Sequence, residues 1–227
     1  MFSPDGPSLR ELAVQALSSV ERGYDLLAPK FDRTPFRTGD WILDATVDAL
    51  RPLGPFDRGL DVCCGTGAGL RVLEAVTREP VTGTDISAGM LAVAGRAYPG
   101  ARLVRSDARA LPFEAEFDLA VSFGALGHFL PAERPGLFAG VRRALRPGGL
   151  FAVPVAVLPR PATAGYWALL GFDLAMRARN AVRRPPFVMY YRTCAPAAIR
   201  ADLTAAGFTV SALTLSPRCD LLLARAC

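Results

Sequence analysis

The sequence predicts an α/β fold: an open, mostly parallel sheet of seven strands with an antiparallel last strand and helices on both faces. From about residue 58, short apolar runs alternate with helical segments, a pattern typical of a parallel sheet covered on both sides. Two extended runs near the C-terminus lie close enough along the chain to pair as antiparallel strands. The 227 residues are 51% hydrophobic and 21% charged, which is enough for one full-sized core.

Strands are predicted from short apolar runs, and helices from apolar residues at helical spacing. Two helical patterns, around 9–20 and 41–50, are separated by a turn-rich stretch at 28–36 that prolines interrupt. The sequence Arg-Pro-Gly-Gly at 146–149 is expected to end a helix before the fifth strand. The predicted strands cover 59–63, 80–85, 101–105, 117–123, 150–155, 208–215 and 220–224.

A single domain spanning 1–227 is predicted, because no internal repeat or low-complexity linker divides the chain. Its expected parts are an N-terminal helical cap (1–55), a core (58–157), a helical insertion acting as a lid (160–192), and a closing helix and strands (195–227). The apolar helix expected at 160–184 ends in arginines, so it can also lie on a membrane surface. Its modest length and Asp173 speak against that alternative.

The charge and the cysteine content limit the classes of partner and the cellular compartment that we expect. The net charge is +5, but the arginines are scattered and Lys30 is the only lysine, so no nucleic-acid partner is expected. Five cysteines without zinc-type spacing predict a reduced, cytoplasmic protein with no metal site. No signal peptide or transmembrane segment is expected, since the longest apolar run, 150–158, is short and contains Pro154. A monomer or a homodimer is expected.

A glycine-rich turn at 65–69 follows the first strand of the core and opens a helix. Glycines let a ligand approach the backbone there, although such turns also form simple tight corners. Asp85 stands twenty positions after Gly65, where a carboxylate can accept both ribose hydroxyls of an adenosine-type ligand. Leu70 replaces the third glycine of the dinucleotide fingerprint, which disfavours nicotinamide and flavin cofactors. Asp61 adds a second carboxylate, which suits a cationic sulfonium.

Five segments resemble, in order, the motifs of class I S-adenosylmethionine-dependent methyltransferases, particularly the ubiquinone-biosynthesis-like small-molecule branch (methyltransferase type 11 or 25). They are Leu-Asp-Val-Cys-Cys-Gly-Thr-Gly at 60–67, Thr-Asp-Ile-Ser-Ala-Gly-Met-Leu at 84–91, Ser-Asp-Ala at 106–108 with Leu-Pro-Phe at 111–113, Phe-Asp-Leu-Ala-Val-Ser-Phe at 117–123, and Leu-Arg-Pro-Gly-Gly-Leu at 145–150. The resemblance implies a Rossmann-like fold that binds S-adenosyl-L-methionine and releases S-adenosyl-L-homocysteine. It assigns to the cofactor Tyr24, Asp61, Cys63, Gly65, Gly67, Asp85, Ile86, Met90, Asp107, Ala108 and Phe123. Cys63 departs from the family, which has a glycine there.

His128, the only histidine, follows the fourth strand at the edge of the sheet where ligands bind, so it is a candidate general base. Capping or packing at a helix start is the alternative role for His128, and helix packing is the alternative for Tyr24. Aromatic residues of the cap and the lid are expected to bind an apolar or aromatic acceptor. The candidates are Phe31, Phe36, Trp167 and Tyr191.

The predicted function is therefore methyl transfer from S-adenosylmethionine to a small, apolar or aromatic acceptor by in-line displacement. A non-catalytic S-adenosylmethionine-binding module is one alternative. A nucleic-acid methyltransferase is another, but Ser-Phe-Gly-Ala at 122–125 stands where such enzymes carry an N/D-P-P-Y segment. Because one fold serves many acceptors, the acceptor and the methylated atom stay open at this point.

Overall fold

The computed structural model describes residues 6–227 and contains one seven-stranded sheet. The strands lie in the order β3-β2-β1-β4-β5-β7-β6, and β7 runs antiparallel to both of its neighbours. This confirms the predicted α/β fold and its antiparallel last strand. The strands are β1 (Gly59–Val62), β2 (Thr82–Asp85), β3 (Arg102–Arg105), β4 (Phe117–Val121), β5 (Leu145–Ala156), β6 (Phe208–Ser216) and β7 (Cys219–Ala226).

Helices cover both faces of the sheet and form two buried clusters with it. On one face, Phe138 and Ile199 belong to a cluster that α6 and α8 form with the strands. On the other, Leu50 and Leu73 belong to a cluster formed by α3, α4 and α5. The helices are α1 (Leu9–Leu17), α2 (Val20–Leu27), α3 (Asp40–Leu50), α4 (Ala68–Glu74), α5 (Ala88–Ala97), α6 (Arg134–Ala144), α7 (Ala164–Val182) and α8 (Pro196–Ala205). None of the helices within residues 6–227 is both long and apolar enough to cross a membrane.

The N-terminal region differs from the single helical pattern that the sequence predicts around 9–20. The run is divided because Ser19 adopts an extended conformation and its hydroxyl accepts a hydrogen bond from the amide of Arg22, which starts a new helix. A short 3-10 turn, Ala28–Arg33, follows α2. This turn forms the first part of the turn-rich stretch that is expected at 28–36.

β5 begins at Leu145 and not at 150 as predicted, because it includes the Arg-Pro-Gly-Gly segment as an irregular stretch. Leu145 already pairs with Phe117, and the next regular pairing joins Leu150 to Leu119. Between these pairs Gly148 takes a positive φ of 77°, and Arg146 forms an ion pair with Asp118 at 2.8 Å. The segment therefore ends α6 as predicted, but it forms the N-terminal part of β5.

Phe151→Ala is expected to lower the free energy of unfolding by about 3–5 kcal/mol. Its ring is buried in β5, with its centroid 6.3 Å from that of Phe138 and 6.5 Å from that of Phe208. The matched control Leu213→Ala removes an exposed side chain from β6 and should cost less than about 1 kcal/mol. Urea denaturation followed by circular dichroism measures both, and equal losses would contradict this placement of the core.

Candidate functional site

The carboxyl ends of β1, β2 and β4 open into a cavity of about 660 Å³. The strand order reverses at β1, whose neighbours β2 and β4 lead to opposite edges of the sheet. Open α/β sheets bind ligands at such a switch point, outside the carboxyl ends of the strands. The loops after the strands line the cavity, together with N-terminal residues between 19 and 43 and residues between 186 and 191.

Three residues of the glycine-rich loop have left-handed backbone conformations, with φ of 59° at Cys63, 53° at Gly65 and 107° at Gly67. A Cβ on Gly67 would stand 2.5 Å from the ring of Tyr98, so glycine is required there on space as well as on φ. A Cβ on Gly65 would meet nothing within 4 Å. Gly65 therefore leaves open space on the cavity side of the loop, where a ligand can approach the backbone.

Cys63 occupies the position at which the resembled family has glycine, and the left-handed φ explains that family preference. A residue with a Cβ pays roughly 1–2 kcal/mol to adopt this conformation. The Cys63 side chain lines the cavity and is half-buried. Burial, reinforced by the negative charge of Asp85, raises the pKa of its thiol well above the usual range, so the thiol stays protonated at neutral pH.

Asp85, at the end of β2, holds this loop in place. One carboxylate oxygen accepts the amide of Gly65 at 2.9 Å, and the other accepts the amide of Ser87 at 2.9 Å. Burial raises the pKa of Asp85, while the amide hydrogen bonds oppose that effect. Each oxygen has a second lone pair available, and the side chain lines the cavity. The carboxylate can therefore accept two further hydroxyl donors.

Asp61 is placed differently from the sequence-based expectation, because it is buried beneath the start of α4 and does not line the cavity. A Cβ on Gly69 would lie 2.4 Å from its Cγ, so the carboxylate occupies the space beside that glycine. Burial and the charge of Asp85 raise its pKa well above the usual range, and the amides of Gly69 and Leu70 only partly oppose them. Asp61 therefore lies beneath the start of α4 and outside the cavity lining.

Asp107, expected near an adenine ring, lines the cavity, but Arg109 already engages its carboxylate. The guanidinium donates to both oxygens, with distances of 2.9, 3.1 and 2.7 Å, and the Arg109 amide adds a bond at 2.9 Å. These bonds lower the pKa of Asp107 and raise that of Arg109. Arg109 also pairs with Glu133 at 2.6 Å. On this wall of the cavity two carboxylates therefore share one guanidinium, which leaves the network with a formal excess of one negative charge.

His128 and Tyr24, 104 residues apart in sequence, are hydrogen-bonded to each other inside the cavity wall. The Tyr24 hydroxyl lies 2.8 Å from Nε2 of His128, and Nδ1 lies 2.7 Å from the carbonyl oxygen of Val188. A carbonyl can only accept, so Nδ1 carries the proton and Nε2 accepts from the tyrosine. Burial lowers the pKa of His128 below its ordinary value and raises that of Tyr24. The pair is therefore neutral, with a basic nitrogen directed at a hydroxyl.

The N-terminal helices are attached to the same loops by contacts that the sequence patterns did not identify. Asp25 accepts the hydroxyl of Ser87 at 2.6 Å and the amide of Gly89 at 2.9 Å. Asp32 accepts the hydroxyl of Thr66 in the glycine-rich loop at 2.7 Å. Asp25 directly follows Tyr24, but its partners lie 62 and 64 residues further along the chain and could not be read from spacing.

Three of the four predicted acceptor-binding residues line the cavity: Phe31, Phe36 and Tyr191. Trp167 does not, because it lies on the outer face of α7 with 61% of its surface exposed and contacts Tyr166 edge-on. Its assignment to the acceptor pocket is therefore corrected. The remaining predicted cofactor residues, which all line the cavity, are Ile86, Met90, Ala108 and Phe123. Among the residues that the structure describes, no group of three or more His, Cys, Asp or Glu is arranged to hold a metal ion.

Comparisons with known sequences find proteins that are similar to part of this chain. Residues 60–149 match the family model of the methyltransferase domain. An uncharacterized methyltransferase from Synechocystis sp. is 36% identical over 125 residues, 55% of this chain and 58% of that protein. Trans-aconitate 2-methyltransferase from Deinococcus radiodurans is 39% identical over 111 residues, 48% of this chain and 42% of that protein. The matches span about half the length of these curated relatives.

The chain is therefore similar to methyltransferase domains over residues 60–149. Its fold is shared along nearly the whole chain by DhpI in complex with SAM and HEP, with a TM-score of 0.69, 21% identity, and coverage of 96% of this chain and 100% of that one. The [4+2]-cyclase SpnF is also similar, with a TM-score of 0.63, 20% identity, and coverage of 91% and 94%. At this level of identity the likeness concerns the fold, and a neighbour named as a cyclase indicates that the fold alone does not determine the reaction.

Cys63→Gly is expected to raise the free energy of unfolding by up to about 1 kcal/mol, because glycine adopts the left-handed conformation without strain. The greater conformational entropy of glycine in the unfolded chain offsets part of this stabilisation. The matched control is the neighbouring Cys64→Gly, which deletes a buried side chain at a position without a positive φ. It should destabilise by about 1–3 kcal/mol. Thermal and urea unfolding measure both, and a destabilised Cys63→Gly variant would contradict the strain argument.

Proposed function

We propose that this protein binds S-adenosylmethionine in the cavity at the end of β1 and transfers its methyl group to a small acceptor. The observation that carries the proposal is the arrangement of Asp85 and Gly65. A half-buried carboxylate with free lone pairs stands beside a glycine whose cavity side is open. This combination suits a ribose held against a closely approached backbone.

The residues present fit that cofactor on their chemistry. Asp85 would accept the ribose hydroxyls, and Gly65 would lie against the amino-acid portion. Ile86 and Met90 supply apolar surface for the adenine ring, while the carboxylate of Asp107 is shared with Arg109. When bound, S-adenosylmethionine supplies a methyl group already activated by a sulfonium. Much of the remaining catalysis is then positioning of the acceptor.

The acceptor proposed is a small apolar or aromatic molecule with a dissociable proton. Its side of the cavity is supplied by the cap and by the segment after α7, and includes apolar residues from both. These are Phe31, Phe36, Leu43, Val188, Met189 and Tyr191, and Phe129 joins them from the segment after β4. The apolar lining favours a flat or aliphatic body, and the neighbouring hydroxyl of Tyr24 provides one polar contact.

His128 is proposed to receive the acceptor's proton through Tyr24. Nδ1 keeps its proton on the Val188 carbonyl, so Nε2 is the basic atom, and it already accepts the Tyr24 hydroxyl. An acceptor hydroxyl or amine that donates to Oη of Tyr24 could lose its proton as Tyr24 passes its own to Nε2. The resulting imidazolium would keep both hydrogen bonds. Lowering the histidine pKa by burial keeps Nε2 unprotonated at neutral pH.

Asp85→Asn is expected to weaken S-adenosylhomocysteine binding roughly ten- to a hundredfold, because it replaces a charged hydrogen-bond acceptor with an amide. Isothermal titration calorimetry measures the affinity, and circular dichroism checks the fold, since Asp85 also supports the loop. The matched control is Asp48→Asn, which changes an exposed carboxylate on α3. Wild-type affinity in Asp85→Asn, or tight binding of NAD to the wild-type protein, would refute the cofactor assignment.

His128→Ala is expected to reduce methyl transfer by about 10²–10⁴-fold while leaving S-adenosylhomocysteine affinity unchanged. The wild-type rate should be flat above pH 6.5 and fall only in more acidic solution, because the folded-state pKa lies below the ordinary value of about 6.5. The measurement is the appearance of methylated product from a panel of aromatic and aliphatic acceptors. Tyr24→Phe, which keeps the ring but removes the relay hydroxyl, should also slow the reaction.

An unchanged turnover number in His128→Ala, with the cofactor affinity intact, would eliminate the proton-transfer role. Product formation that falls toward alkaline pH would also contradict it, since neutral His128 is the active form. Loss of cofactor binding in the variant would assign His128 to the cofactor site instead.

A further inference from the structure

The exposed face of α7 carries a continuous stripe of apolar and small residues. Trp167, Leu174 and Val182 have 61%, 57% and 83% of their surface exposed. Gly171 and Ala178, also exposed, fall between them at spacings of three and four residues, so all five lie on one side of the helix. The opposite side buries Asp173, Met176 and Asn180 within the protein.

The exposed charged residues of the segment that carries this stripe are all arginines. Five arginines lie between 160 and 184, and within residues 6–227 none of the five takes part in an ion pair. Asp173 is the one acidic residue of the stretch, and with 4% of its surface exposed it lies on the buried side. Four of the five arginines are exposed and Arg179 is half-buried, so the exposed surface of this segment combines apolar residues with positive charge that has no acidic partner in the described part of the chain.

Hydrogen bonds hold two of these arginines at the C-terminal end of α7. Arg179 donates to the carbonyls of Pro185 and Ser18, and Arg184 donates to the carbonyl of Asn180. Arg177 lies with its guanidinium 4.5 Å from the centre of the Tyr190 ring. The positive groups are thus arranged by the protein around the last two turns of α7.

We propose that this face of α7 binds the surface of an anionic phospholipid membrane. A helix of 19 residues is about 28 Å long, and its apolar stripe could enter the headgroup boundary while the arginines meet lipid phosphates. A second copy of the chain is the less suitable occupant. It would bring two sets of unpaired arginines together, which charge repulsion opposes. The proposal is independent of the methyl-transfer assignment.

One consequence does rest on the proposed function. α7 leads directly into the segment whose members Pro186, Val188, Met189 and Tyr191 line the cavity. Docking of α7 would bring this wall of the cavity close to the lipid surface. An apolar acceptor dissolved in the bilayer would then reach the site without crossing bulk water.

The test uses the full-length protein without cofactor and vesicles of phosphatidylcholine, with or without phosphatidylglycerol. The chain has two tryptophans, so Trp41→Phe leaves Trp167 as the single emitter. Mixed anionic vesicles should sediment with this protein and shift its tryptophan emission to shorter wavelength, whereas pure phosphatidylcholine should do neither. High salt should reverse the binding.

Two pairs of variants separate the apolar from the charged contribution. Leu174→Glu on the stripe should abolish vesicle binding, while Leu213→Glu, at a similarly exposed leucine of β6, should not. Replacing Arg183 and Arg184 by alanine should weaken partitioning about 30-fold. The control Arg218→Ala removes an exposed arginine elsewhere and should have little effect. Calorimetric binding of S-adenosylhomocysteine should be unchanged in all four, which keeps the two proposals separately testable.

Several results would overturn the proposal. They are no sedimentation with anionic vesicles, no change in Trp167 emission, or equal binding by wild type and Leu174→Glu. A dimer in sedimentation equilibrium that Leu174→Glu dissociates would show that a second copy covers this face. Failure of cofactor binding with intact vesicle binding would instead count against the proposed function alone.

Discussion

The bonds from Asp85 to the amides of Gly65 and Ser87 are the constraint on which the site depends. They join the loop after β1 to the start of the segment after β2, at the carboxyl ends of two paired strands. The glycine-rich loop has left-handed backbone at three positions, of which only Cys63 carries a side chain, and one charge-assisted hydrogen bond from Gly65 to Asp85 holds the loop. The same carboxylate remains able to accept from a ligand, so loop geometry and ligand recognition are coupled.

From this point a chain of contacts reaches the opposite wall of the cavity. Ser87, whose amide binds Asp85, donates its hydroxyl to Asp25 of α2. Tyr24, the neighbour of Asp25, holds His128, which in turn holds the Val188 carbonyl. The cofactor side and the acceptor side are therefore connected through α2. The N-terminal cap therefore supplies Asp25, which bonds to the segment after β2, and the Tyr24 hydroxyl, which lies beside the candidate base His128.

Local patterns predicted the strands and the glycine-rich turn well and placed Asp85 at the end of β2, because each depends on residues close together in the chain. The motif also identified Cys63 as a glycine position, which its φ of 59° explains. Contacts between distant segments were out of reach: the Tyr24–His128 bond needs the relative placement of α2 and the loop after β4. Trp167 and Asp61 were misplaced because helical phase and side-chain direction decide which face a residue occupies, and spacing alone does not supply them.

The central claim is that Asp85 and the glycine-rich loop hold S-adenosylmethionine. A crystal structure of the wild-type protein with S-adenosylhomocysteine tests it most directly. In that structure we expect the ribose hydroxyls to lie within hydrogen-bond distance of both Asp85 oxygens and the amino-acid portion to lie against Gly65. The Tyr24–His128 hydrogen bond should be retained. A ligand bound elsewhere, or one that leaves the Asp85 carboxylate without contact, would contradict it.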